Sequence, residues 1–166
     1  MAYNSTKVPV EQSQKDIRKL LTRFGAQRFS FTQGLAGDNR PWVQLEFVHA
    51  AEFDRPHLIR LAVPLKIPSD AELKAKARRA YSRSLVEITA DAADQEERRI
   101  WRVLFYSLKA RMEAVEEEVE TFEQAWLPHI VDPASGVTLW ERIRPAVEAG
   151  KLVIGGPGIP ALGSGK

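Results

Sequence analysis

The strongest constraint on the fold is a series of apolar residues at steps of three or four: Trp101, Leu104, Leu108, Met112, Val115, Val119, Phe122 and Trp126. Such spacing lines one side of an α-helix. No glycine or proline interrupts the run from Arg98 to Trp126, and Pro128 predicts its end. At a rise of ~1.5 Å per residue the helix would reach roughly 40 Å, enough to cross a small sheet. A helix with one apolar side must lie on something, and the chain upstream supplies it.

Three runs there alternate as half-buried strands do. "AQRFSFTQ" puts Phe29 and Phe31 on one side. "PWVQLEFVH" sets Val43, Leu45 and Phe47 against Gln44 and Glu46, and "HLIRLAVPLK" aligns Ile59, Leu61, Val63 and Leu65 with Arg60 opposite. Short connections rich in turn formers, "GLAGDNR" and "AAEFDRP", favour an antiparallel meander. Pro64 places the third strand at an edge or at its own end. Ahead of the strands, "EQSQKDIRKLLTRFGA" predicts a helix with Ile17, Leu20, Leu21 and Phe24 facing inward. Ser13 and Asp16 resemble a capping box at its start, and Gly25 is a natural stop.

Between Ser69 and Asp94 the pattern admits either a helix beginning at "SDAE" or an exposed excursion. After the long helix, "TLWE" from Thr138 to Glu141 is a capping box for a short final helix. Leu139, Ile143 and Val147 are expected to face inward there, and Pro145 to bend or divide it. From Gly155 onward "GGPGIPALGSGK" is rich in glycine and proline and reads as a flexible tail. The expectation is one α+β domain over residues 1–154, followed by a tail over 155–166. Its order is N-terminal helix, three-stranded antiparallel meander, long amphipathic helix and short C-terminal helix.

Composition narrows the chemistry. The 166 residues contain no cysteine, which excludes disulfides, thiol catalysis and cysteine-ligated metal centres. The formal net charge is +2, so no global field implies a polyanion, and any nucleic-acid argument rests on local clustering. No stretch approaches the roughly 20 apolar residues of a spanning helix, and "MAYNSTKVPVEQSQK" carries no apolar signal core. A cytoplasmic setting without membrane association is the expectation.

The densest basic segment is "KAKARRAYSR", with Lys74, Lys76, Arg78, Arg79 and Arg83 around Tyr81 and no acid among them. Just downstream, Arg98, Arg102, Tyr106 and Lys109 follow one another at steps of four, four and three along one side of the long helix. Together they would form a positive patch, the cations contacting phosphates and Tyr81 and Tyr106 stacking on bases. The alternative for the helical line is a solvated face. Arginines at a helix start and glutamates near its end also oppose the helix dipole, which a nearby acidic element or a ligand would offset. Glu116, Glu117, Glu118 and Glu120 read as a solvated acidic face rather than a metal site. His49, His57 and His129 do not fall at metal-ligand spacing, and there is no nucleophile elbow or phosphate-binding loop. Neither a catalytic residue nor a metal or cofactor is expected.

"VPVEQSQKDIRKLLTRFGA", "EERRIWRVLFYSLKARMEAVE", "TFEQAWLPHIV" and "TLWERIRP" together resemble a family of small proteins encoded by bacteriophages and prophages. The resemblance covers about half the chain and leaves out the basic segment from Ala71 to Asp94. It implies a mobile-element setting in a bacterial host and a shared α+β fold, and it assigns no catalytic or binding residue. The leading expectation is therefore a non-enzymatic phage or prophage protein acting on or near nucleic acid. The alternative is a protein-interaction module, such as an inhibitor or adaptor of a host protein in a defence or DNA-processing system. The narrow apolar seam is compatible with a monomer or a homodimer.

Overall fold

The computed structural model describes residues 6–50, 56–79 and 84–151. Its order is α1 (Val10–Arg23), β1 (Ala26–Leu35), β2 (Pro41–Ala50), β3 (Pro56–Pro64), α2 (Asp70–Arg79), α3 (Leu85–Glu116), α4 (Phe122–Trp126), a 3-10 turn (Leu127–His129) and α5 (Leu139–Glu148). This is an α+β fold with a three-stranded antiparallel sheet in the order β1-β2-β3. The expected flexible tail lies outside the described residues.

Register explains why the sheet has one apolar face. Phe29, Phe47 and Ile59 share a row, as do Phe31, Leu45 and Leu61, and Gln33, Val43 and Val63. A shift of one residue would turn every one of these side chains to the other face. Pro64 is the last residue of β3, which is also an edge strand, so its missing donor interrupts no ladder. α1, α3 and α4 cover the apolar face. Trp101 meets the Phe31 ring edge-on at 5.4 Å, and Trp126 meets Phe47 at 5.3 Å. Ile17, Leu21, Leu45, Ile59, Leu108 and Trp126 are wholly buried between the layers.

Three local expectations are corrected. α1 starts at Val10 behind Pro9 and has no side-chain cap. Ser13 is buried within the helix because that side faces the core, where a cap would need it at the end. The long helix also has other limits. It begins at Leu85, where Ser84 and Glu87 form a capping box, and it stops at Glu116. Thirty-two residues make a rod of about 48 Å. The chain then breaks, with Glu118 at φ 55°, before Thr121 and Gln124 cap α4. Clustered glutamates at a helix C-terminus oppose its dipole, and the break moves Phe122 and Trp126 onto the sheet while Val119 stays exposed. Finally, α5 runs unbroken through Pro145 and buries none of its residues. Leu139 is half-buried, and Ile143 and Val147 are exposed. The sheet's apolar face is already occupied, so α5 packs beyond the β3 edge against the 3-10 turn. The Val131–Thr138 bridge and an Arg60 hydrogen bond to the Gly136 carbonyl at 2.8 Å hold it there.

Candidate functional site

The two basic segments sit in different electrostatic situations. On α3, Arg98 pairs with Asp94 one turn earlier. Arg102 reaches Asp16 on α1 at 3.0 Å, donates from Nη2 to the Tyr106 hydroxyl oxygen at 3.1 Å and stacks over the Phe105 and Tyr106 rings. Burial alone would lower the Arg102 pKa, but the bonds to Tyr106 and Asp16 outweigh it and raise it. Lys109 lies 3.6 Å from Glu113. These contacts use much of what each cation could offer a phosphate. Because α3 begins at Leu85, Arg98 and Arg102 are mid-helix, so the dipole conflict expected of them does not arise. At the far end, Glu116 is held by Arg23 of α1 at 2.9 Å.

α2 is different. Leu73 is buried and Ala77 half-buried, which fixes one side against α3. Lys74, Lys76, Arg78 and Arg79 are exposed, and no carboxylate forms an ion pair with them among the described residues. Tyr81 and Arg83 lie outside the described residues. The structure thus brings α2 beside α3, with the α2 cations exposed and each of Arg98, Arg102 and Lys109 ion-paired.

Sequence reading passed over a cluster on the other side of α4. The Arg111 guanidinium lies 5.2 Å from the centre of the Trp126 ring, and the His129 ring lies 6.2 Å from it. Arg111 Nη1, Trp126 Nε1 and the Glu123 carboxylate oxygen Oε1 are buried without hydrogen-bond partners. Burial, reinforced by the Arg111 charge, lowers the His129 pKa against the opposing effect of a hydrogen bond to the Arg60 carbonyl. The imidazole and the guanidinium–indole stack beside it help fasten α4 and the 3-10 turn to α3 and β3. The W-x-x-H spacing from Trp126 to His129 was its only trace in the sequence. Among the described residues no group of three histidines or acids could hold a metal ion.

A third surface feature is apolar. Along α5, Trp140, Ile143 and Val147 are 44%, 40% and 39% exposed, with Val137 and Leu127 exposed nearby. They recur at i, i+3 and i+7, the pattern a helix presents to an apolar groove. Arg142 is turned aside to Asp132 at 3.1 Å, and Arg144 pairs with Glu148 at 2.7 Å along the helix. No protein-family model, curated protein or solved structure matches the chain. Among the described residues no helix is long and apolar enough to cross a membrane.

Proposed function

We propose that the protein is a non-enzymatic interaction module that docks on another protein through α5. The observation that carries this reading is that α5 is amphipathic yet none of its residues is fully buried, and its apolar stripe stays about two-fifths exposed. An apolar stripe at helical spacing contributes stability only when covered. The resemblance to phage-encoded proteins suggests a host protein as the target, an inhibitor or adaptor of a defence or DNA-processing system in the bacterial cytoplasm being the specific form. The test uses the full chain and a Trp140→Ser/Ile143→Ser variant as baits in nuclease-treated host lysate. Neither side chain belongs to the buried core, so the variant should stay folded, which its melting temperature checks. A protein retained by the wild type and lost by the variant supports the reading. Identical captures, or none, would defeat it.

A second reading is supported by the exposed cations of α2. Lys74, Lys76, Arg78 and Arg79 would contact the phosphates of a nucleic acid, with Tyr81 and Arg83 following in sequence. The ion-paired Arg98, Arg102 and Lys109, with Tyr106, would contribute less. Phosphate-dominated binding weakens with salt at a log–log slope of about −0.9 per duplex contact. Anisotropy titrations of labelled single- and double-stranded oligonucleotides at two salt concentrations therefore decide it. Absence of binding at low salt rejects this reading.

A further inference from the structure

The two edges of the sheet are treated differently. At β3, Ile130 bridges Ile59 and the Val131 amide donates to the Leu58 carbonyl at 2.8 Å, so part of that edge is closed. At β1, no backbone segment pairs with the outer edge among the described residues. The strand carries none of the usual edge protections from Phe29 to Gln33: no proline, no lysine, and its one register irregularity lies further back, between Ala26 and Arg28. Phe29 and Phe31 remain only partly buried.

Charge beside this edge has an acidic and a basic end, with the exposed Lys15 between them on the same side of α1. A cleft of about 450 Å³ runs beside it, with Glu11 and Gln14 from α1, Phe31 and Gln33 from β1, and Glu97 and Trp101 from α3 in its walls. Asp94 also lines it but is already matched by Arg98. Toward the other end of the strand, the Arg18 guanidinium lies 5.7 Å and 5.8 Å from the Phe29 and Phe31 rings. Arg18 and Glu11 are both exposed, and neither forms an ion pair among the described residues. They stand seven positions apart on α1, a separation of roughly 10 Å, which equals about three residues of strand.

We propose that β1 pairs with β1 of a second copy about a two-fold axis near Phe31, joining two sheets into one of six strands. An antiparallel pairing about that axis turns the acidic end of one edge toward the basic end of the other. Arg18 of each copy then faces Glu11 of the other, so the match occurs twice. Only a closed two-fold arrangement uses the same patch on both partners. The pairing supplies about eight ladder hydrogen bonds and covers both copies of Phe31.

Light scattering of the full chain across a concentration series tests this. The expected mass approaches twice 18.7 kDa as concentration rises, and hydrogen exchange of the β1 amides slows with it. Arg18→Glu and Glu11→Arg each place like charges opposite one another and should weaken association at least tenfold. The double variant, Arg18→Glu/Glu11→Arg, restores opposite charges and should recover affinity relative to both single variants. Both positions are exposed, so unchanged melting temperatures separate a lost interface from a lost fold. A monomer at every concentration overturns the proposal, as does a dimer indifferent to either single change or a double variant with no recovery. Monomeric protein with protected β1 amides also overturns it, because the chain itself would then cover the edge.

Discussion

Replacement of Glu96 should be a costly polar substitution, because its ion pair has the least exposed side chains of those among the described residues. Glu96 lies on α3, with its side chain 10% exposed and that of its partner Arg99 13% exposed. Its carboxylate accepts Arg99 Nε at 2.6 Å, Arg99 Nη2 at 2.7 Å and the Lys66 backbone amide at 2.9 Å. It therefore ties the segment after β3 to the middle of α3. Removing one member of a nearly buried ion pair costs about 3–5 kcal/mol, because the other charge is left desolvated. Glu96→Ala should show that loss, a fall in melting temperature of roughly 6–20 °C for a chain of this size. Glu96→Gln keeps an acceptor and loses the charge, so about 2 kcal/mol is expected from the weakened charged hydrogen bonds.

Acid provides an independent reading of the same group. Burial alone would raise the Glu96 pKa, but hydrogen bonds from Arg99 and the Lys66 amide outweigh it and hold the carboxyl below its ordinary range. A carboxyl depressed in the folded state stabilises the fold above its unfolded pKa of ~4.3, and that contribution is lost as pH falls through the lower folded value. Urea unfolding followed by tryptophan fluorescence, repeated from about pH 6 to pH 3, should show a flatter acid limb for Glu96→Gln than for the wild type. Two results would refute the reasoning. One is Glu96→Ala costing less than ~1 kcal/mol, and the other is parallel acid limbs in wild type and Glu96→Gln.

Two further substitutions probe the core and a turn. Leu108 is wholly buried, so Leu108→Ala should cost ~2–5 kcal/mol in the same urea assay, and a loss below ~1 kcal/mol would mean that the α3 seam is not the core. Gly25 holds φ +78° with open space around its Cα. Gly25→Ala should therefore cost ~1–2 kcal/mol from backbone strain alone, and Gly25→Asn less; equal stabilities of all three proteins would contradict the left-handed turn.

The framework was legible because it rests on local periodicity. Val43, Leu45 and Phe47 alternate, and burial follows that alternation from Trp42 to Val48. Thr138 and Glu141 form the reciprocal cap their spacing announced. The end of α3 was not legible, since the apolar steps continue unbroken from Met112 through Val115 and Val119 to Phe122. What breaks the helix is the competing cap at Thr121 together with the acidic run before it. The second half of the seam reaches the core as a separate short helix. Periodicity reports which side of a segment is apolar, and it is silent on whether one helix or two carry it.

The same distinction governs the surface. Arg98 and Arg102 looked available because their partners, Asp94 and Asp16, lie outside the run in which they were read, and Asp16 belongs to a different helix. Charge patterning along one element therefore overestimates free charge wherever another element packs against it. The converse holds for α5. Its apolar side promised burial, but only three-dimensional competition for the sheet's single apolar face decides which helix obtains it. α1, α3 and α4 take that face, and α5 is left with a partly exposed stripe. Paired ions cancel most of each other's field beyond a few ångströms in water, so the exposed cations of α2 and the glutamates Glu117, Glu118 and Glu120 are among the charges a charged partner meets. α2 precedes α3 in the chain by five residues, and the glutamates follow the C-terminal end of that rod of about 48 Å. A mainly apolar contact at α5 and a phosphate contact at α2 would consequently differ in salt dependence, and that difference distinguishes the two functional readings without a named partner.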